Sequence, residues 1–441
     1  MSPSPKPALT WVNDNVWRWI RPTPAGGCGR GPAITHRIAS AERSDSCVGL
    51  RLGFRVSGDD RGFLISSALF DRTDYPTLTE STYLNQASLG LIGRPAVDAM
   101  HRFIDGVGRH GNVHMSDEDE VAFLDALRQR AARLFHTETQ QIAIVSSASE
   151  LLGQLPFMLA PPPEAKVVVV TTDFPAITRP WLRLVEHGGC HLEFVDDNPK
   201  SDLTSDLIAR IDEHTPVVAV SSVQYATGTV IDVPRLRAAT AEVGARLVID
   251  ATQGAGATGT NAGAWRADIV VSSGYKWLGG HGGAAVGVLT PAILDQTPPL
   301  PGWMGAPDPF EFDATRMLFA TDARRYTQST MSYVSVVGLA TAMDQLLTTG
   351  IERLEHHAAR LAHVLIDAVE PHGWHPFRHL DDHAASSHII SLGHQGDGLV
   401  DTLDRLRAMG IMCSTRAGRL RVSLAPYNDE SDIAALVDAL V

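Results

Sequence analysis

The chain is predicted to be an α/β protein: a doubly wound, mostly parallel sheet followed by a smaller C-terminal α+β domain. Three observations point there. Short apolar runs recur along residues 142–289 and are apolar on consecutive rather than alternate positions, amphipathic stretches lie between them, and polar or glycine-bearing loops follow the runs directly. A strand covered on both faces reads as an unbroken Val/Ile/Ala run. Alternation of such strands with helices implies right-handed crossovers and helices on both faces of one sheet.

In chain order, residues 1–75 come first and differ from the rest. They are rich in Pro, Gly, Ser and Arg, show no sustained period, and carry ten basic against seven acidic residues. A poorly ordered extension is predicted there, without a helix-turn-helix pattern. From Tyr83 the texture changes. The apolar runs Ile142–Ser146, Val167–Thr172, Val217–Ser222, Arg246–Asp250, Asp268–Ser272 and Ala284–Leu289 are the predicted strands, with helices such as Ala122–Phe135 and Val233–Val243 between them. Together they define a large domain over 76–345. Beyond it a long helix (Ile351–Val369) leads into His388–Leu392, a helix around Leu399–Met409, Ile411–Ser414, Leu420–Leu424 and a closing helix. Helices segregated from a few short strands predict a small α+β domain over 346–441.

Composition narrows the function. The 441 residues are 44% hydrophobic and 20% charged, as in an ordinary globular protein. A formal net charge of −13 lacks the positive footprint that nucleic acid or an anionic membrane requires. No run approaches the ~18 apolar residues of a membrane span, and the N-terminus has no continuous apolar signal region. A cytoplasmic location is the expectation by elimination. Cys28, Cys47, Cys190 and Cys413 are dispersed and form no CxxC pair, so neither a disulfide framework nor a metal site is expected. His356, His357 and His363 on the long helix, and His375, His379 and His383 in a polar loop, are read as solvated faces.

Five loops that follow apolar runs carry the candidate residues: Ser147–Ser149, Asp173–Phe174, Ser222–Thr227, Asp250–Gln253 and Ser273–Lys276. In open α/β sheets ligands bind at the carboxyl ends of the strands, so these loops should meet at one site. Lys276 stands at a strand end, preceded by hydroxyls and followed by glycines. A lysine is seldom buried without cause, and an imine to an aldehyde cofactor, which removes the ammonium charge, is one cause. A Gly-rich turn is the other reading. Asp250 ends an apolar strand 26 residues earlier, where a carboxylate needs a cation or caps a helix. Ser147-Ala148-Ser149-Glu150 offers amides and a hydroxyl to a phosphate at a helix N-terminus, and fits a capping box equally well. Gly279–Gly283 matches neither GxGxxG nor GxxxxGK[ST], which disfavours a nucleotide-binding protein.

Over roughly residues 80–441 these motifs resemble the fold-type I pyridoxal-5′-phosphate (PLP) enzymes of the aminotransferase class V, cysteine desulfurase-like family, in its isopenicillin-N-epimerase-like branch. The matching stretches are Tyr83-Leu84-Asn85-Gln86-Ala87, Ser146-Ser147-Ala148-Ser149-Glu150, Val248-Ile249-Asp250-Ala251-Thr252-Gln253, Ser273-Gly274-Tyr275-Lys276-Trp277, and Leu420-Arg421-Val422-Ser423-Leu424-Ala425-Pro426-Tyr427-Asn428. The resemblance implies that Lys276 holds PLP as a Schiff base and that Asp250 pairs with the pyridinium nitrogen. It implies that Gln253 bonds the ring hydroxyl and that Ala148, Ser149, Ser273 and Tyr275 hold the phosphate, Tyr275 standing where the family often has His. Thr330 would reach the phosphate from a neighbouring subunit, making a homodimer, and Arg421 would grip the substrate α-carboxylate.

Departures from the desulfurase pattern shape the functional expectation. Phe174 stands where desulfurases have a histidine stacked on the ring; it can stack but cannot move protons. Tyr225 replaces an Asn that contacts the cofactor, with Gln224 as a second candidate for that contact. Cys413 lies only eight residues before Arg421 in an apolar run, where a core role is expected. The expectation is a PLP-dependent enzyme acting on an amino acid or a similar metabolite through an external aldimine, by transamination, epimerisation or elimination. A cysteine desulfurase or C–S lyase, and a non-catalytic PLP-binding regulatory module, are the alternatives.

Overall fold

A computed structural model describes residues 8–12, 16–20 and 67–441, apart from positions 114 and 397. The first two segments are paired antiparallel strands, β1 (Ala8–Val12) and β2 (Val16–Ile20). The rest of the expected extension as far as residue 66, with Cys28 and Cys47, lies outside the described residues. The expected boundary at residue 75 needs correction, because residues 67–75 are packed. The amides of Leu69 and Phe70 both donate to the Pro426 carbonyl, at 2.9 and 3.1 Å. Arg72 donates to Asp432 at 2.7 Å, and the buried Tyr75 ring meets the Tyr427 ring at a centroid distance of 4.9 Å.

A short strand, β3 (Thr82–Tyr83), precedes the main sheet. That sheet comprises β4 (Ile142–Val145), β5 (Lys166–Val170), β6 (His191–Val195), β7 (Val217–Ser221), β8 (Arg246–Asp250), β9 (Ile269–Ser273) and β10 (Ala285–Leu289), in the order β4-β10-β9-β8-β7-β5-β6. Only β10 runs against its neighbours. Six of the seven strands coincide with the predicted runs; β6 was not foreseen. Successive side chains of a strand enter opposite layers. Val167 and Val169 pack with Leu151, Leu155 and Trp181 on one face, while Val168 and Val170 pack with Leu127, Phe135 and Leu339 on the other. Both layers are apolar, which is why the strands read as continuous runs.

The C-terminal part begins after the helix Tyr333–Thr349. Gly350, at φ +89°, turns the chain into the helix Ile351–Val369, a backbone conformation that glycine adopts without a Cβ penalty. Four strands, β11 (Trp374–Pro376), β12 (Ile389–His394), β14 (Ser414–Arg416) and β15 (Arg419–Ser423), form an antiparallel sheet in the order β11-β12-β15-β14. The remaining strand, β13 (Ile411–Met412), pairs in parallel with β3. Leu84, just after β3, is fully buried among Leu361, Leu365, Leu420 and Val422. The expected assignment of 76–345 to the large domain therefore misses that β3 pairs with β13 and that Leu84 packs into the C-terminal core. His357, read from the sequence as solvated, is buried with Nε2 2.8 Å from the Asn428 carbonyl. Among the described residues no single helix is long and apolar enough to cross a membrane.

Candidate active site

β4, β5, β7, β8 and β9 all deliver their following loops to one edge of the sheet, where the five loops enclose a cavity of about 160 Å³. Ser147, Ala148 and Ser149 form one end. The helix Ala148–Leu159 starts there, with the Ser147 hydroxyl accepting from the Glu150 amide at 3.1 Å. The Glu150 carboxylate accepts from the Ser146 amide at 2.8 Å rather than from the amide of the N-cap residue Ser147, so only the Ser147 half of the expected capping box forms. Amides of the first helical turn have no intrahelical acceptor and face an anion with the positive end of the helix dipole. Ser273 and Tyr275 line the cavity with them.

At the other end Lys276 is 5% exposed. Its Nζ lies 5.2 Å from the Phe174 ring centroid and 5.8 Å from that of Tyr275. Burial pulls its ammonium pKa down to about 8; Asp250 opposes this, while Arg421 and Arg416 add to it. Asp250 is buried and accepts from the Thr252 amide at 2.8 Å. Burial raises its pKa, against the hydrogen bonds from Thr252 and the charge of Lys276. Phe174 is 38% exposed at the cavity, its ring edge-on to Tyr225 at 5.3 Å.

Behind Phe174 sits Asp173, buried, whose carboxylate takes the amides of Phe174 and Ser221, each at 2.7 Å, and the Ser221 hydroxyl at 2.5 Å. Burial lifts its pKa to about 6. It ties the β5 loop to the β7 loop and so sets the position of the Phe174 ring.

The other predicted residues divide. Gln253 lines the cavity, but its oxygen accepts from Trp277 Nε1 at 2.8 Å and its amide nitrogen donates to the Ala87 carbonyl at 3.0 Å. One amide hydrogen is left for a ligand. Gln224 corrects the expectation: fully buried, it donates to Asp173 at 3.3 Å and does not line the cavity, whereas its neighbour Tyr225 does. The turn in which the Gly228 amide bonds the Gln224 carbonyl carries Gln224 inward and Tyr225 outward. Thr330 is exposed and takes no part in the cavity wall of its own chain.

Arg421 is 1% exposed, donating to the Tyr225 carbonyl at 2.7 Å and the Ser88 hydroxyl at 2.6 Å, while its Nε has no partner. No carboxylate lies within 4.0 Å of it among the described residues. Burial, with the charge of Arg416 adding to it, lowers its pKa to about 10. Arg416 was missed by the sequence reading. Cys413 packs in the C-terminal core, its thiol pKa pushed up to about 12 by burial, where a thiol is inert.

A buried amine, a buried carboxylate and a helix N-terminus thus line one cavity. The model for aminotransferase class-V matches residues 82–436. The chain belongs to the aminotransferase class-V family. It is accordingly a PLP-dependent enzyme, and the residues present fit that cofactor. They offer an amine for an aldehyde, a buried carboxylate for a ring nitrogen, and helix-end amides with hydroxyls for a phosphate. Among class-V relatives, the chain is 23% identical over 378 residues to an uncharacterized aminotransferase, YcbU, of Bacillus subtilis, covering 83% of this chain and 95% of that one. It is 25% identical to a probable cysteine desulfurase of Pyrococcus abyssi, covering 84% and 96%. The crystal structure of the cysteine desulfurase CsdA from Escherichia coli superposes with a TM-score of 0.74 at 23% identity, over 84% of this chain and 96% of that one. The cystine C–S lyase C-DES gives 0.76 at 18% identity, over 83% and 98%. These superpositions support the class-V fold.

Proposed function

We propose that this enzyme acts on the α-amino group of an amino acid, by transamination, epimerisation or elimination, with Lys276, Asp250 and Arg421 as its working residues. The observation that carries the reading is the pairing of Lys276 and Asp250, both buried, at the ends of adjacent strands β9 and β8 around one cavity. Bound PLP supplies an electron sink for the pair released at the substrate Cα. Asp250 would hold a proton on the ring nitrogen, and Ala148, Ser149, Ser273 and Tyr275 would bind the phosphate. Phe174, beside the Lys276 amine in the cavity wall, has no titratable group, so proton movement at Cα would fall to the Lys276 amine. Burial lowers its pKa from the ordinary lysine value, which favours the neutral amine that a base must be. Arg421 orients the carboxylate.

The test is product analysis of the purified enzyme against a panel of amino acids, with Cys413→Ser beside the wild type. A keto acid, an inverted stereocentre or an eliminated fragment from some amino acid, with Cys413→Ser within about twofold of wild type, is expected. A second reading, desulfuration, is favoured by the named relatives. It would appear as alanine formed from cysteine, with the substrate sulfur held as a persulfide on the Cys413 thiol; Cys413→Ser would abolish both, and that outcome would replace the first reading.

The working form is read as a homodimer in which Thr330 completes the partner's phosphate site. Supporting this are the exposure of Thr330 and an exposed apolar surface nearby in sequence, with Leu300, Phe312, Met317 and Leu318 each at least half exposed. Phe312, Met317 and Leu318 border a hollow of about 370 Å³ in the 301–319 loop, larger than the lysine cavity, whose lining mixes apolar residues with Asp308, Glu311, Asp313 and Arg316. Contiguous apolar surface on a soluble chain marks an interface. Phe312→Asp is expected to move the enzyme from dimer to monomer in sedimentation and to lower turnover with it. A variant that stays dimeric rules this surface out.

A further inference from the structure

A second guanidinium lies near the Lys276 amine and Arg421, outside the cavity lining itself, and gripping one carboxylate does not use it. Arg416 ends β14 and is joined to β15 by a turn at Ala417 and Gly418, with φ +48° and +71°. Positive φ at both turn residues is what a tight two-residue hairpin needs, and it sets Arg416 and Arg421 on neighbouring strands. Their Nη2 atoms converge on the Ser88 hydroxyl, at 3.4 and 2.6 Å. That hydroxyl oxygen has two lone pairs and so can accept from both.

Neither arginine meets a carboxylate within 4.0 Å among the described residues. Other interior arginines do: Arg128 pairs with Asp322 and Arg378 with Asp197. Beside Arg421 in the sheet, the Ser391 and Ser414 hydroxyls are buried without a partner, like Arg421 Nε itself. Two guanidiniums close to the Lys276 amine repel it and each other. That arrangement is costly unless anions arrive from outside.

We propose that the substrate is an amino acid with two acidic groups: Arg421 takes the α-carboxylate, and Arg416 takes the side-chain carboxylate. The inference rests on the carboxylate role of Arg421 given above. Ser88, bonded to both guanidiniums, is a positioning residue that sets their separation. An arginine fork matches each carboxylate bidentately.

Calorimetric titration of the holoenzyme with amine-free acids tests this. Succinate, with two carboxylates, is expected to bind at least about tenfold more tightly than propionate, with one. Arg416→Gln is expected to collapse that preference to about twofold or less, and Arg416→Lys, which keeps the charge but loses the fork, to leave it intermediate. The KM ratio of asparagine to aspartate should fall in parallel. Retention of the cofactor's visible absorption confirms that each variant is folded and loaded. A wild type without preference for succinate, or a preference that survives Arg416→Gln, overturns the proposal. Arg421→Lys separates the underlying reading: it should weaken both acids, and unchanged propionate binding would remove the α-carboxylate role itself.

Discussion

Lys276→Ala is expected to lower turnover by at least about a thousandfold, and to remove the visible absorption of lysine-linked cofactor. The amine has two tasks, holding the aldehyde and moving the proton at Cα, and among the described residues no other amine lines the cavity. Phe174 cannot titrate, and the carboxylate of Asp173 is turned toward Ser221 and the backbone. Borohydride reduction of the wild type should fix the cofactor on the peptide containing Lys276. A variant that keeps the visible band, with the reduced cofactor on another lysine, would sink the assignment. Stability gives a second readout. The folded-state pKa of about 8 lies below the ordinary 10.5, so burying the ammonium costs on the order of 3 kcal/mol in the cofactor-free protein. The sign follows: both states are protonated below pH 8, where the cost is full, and it disappears above pH 10.5. Cofactor-free Lys276→Met, which keeps most of the stem volume, should therefore melt no lower than cofactor-free wild type at pH 7.

Asp250→Asn is expected to cost roughly a hundredfold or more in rate while leaving the fold and cofactor content intact. The asparagine oxygen can keep the bond from the Thr252 amide. A neutral amide also removes a buried carboxylate whose charge the interior disfavours. What is lost is the negative charge that keeps a proton on the pyridine nitrogen. Activity within a few-fold of wild type, measured at equal cofactor occupancy, would show that Asp250 is only a loop-capping residue.

The large sheet was legible because its interior strands are covered on both faces, so Val217–Ser221 and Ile269–Ser273 announce themselves as unbroken apolar runs. β6 escaped because it is an edge strand left largely uncovered: His191-Leu192-Glu193-Phe194-Val195 buries only Val195 and reads as mixed polarity, whereas β4 at the opposite edge is buried throughout. Lys276 and Asp250 were legible through their place at strand ends. Gln224 was misplaced because adjacent residues in a turn point in opposite directions, and composition does not say which one faces the cavity. Arg416 was missed for a topological reason. Ile411–Ser414 and Leu420–Leu424 were read as separate strands, and the Ala-Gly between them was not recognised as a two-residue hairpin turn. The signal was present in Thr-Arg-Ala-Gly-Arg.

The pairing of β3 with β13 has a consequence for how the chain reaches this state. Leu84 and Ser423, hydrogen-bonded through the Ser423 hydroxyl, stand 339 residues apart. On a ribosome the early strand emerges long before its partner, so Leu84 must stay solvated while the large sheet is being made. Closing so long a loop costs entropy that grows only as the logarithm of its length, but contacts of such high sequence separation slow assembly. The C-terminal core, and with it the two arginines of β14 and β15, is then the last part to assemble. Nascent chains halted before residue 411 would carry the lysine cavity without the arginines that complete it.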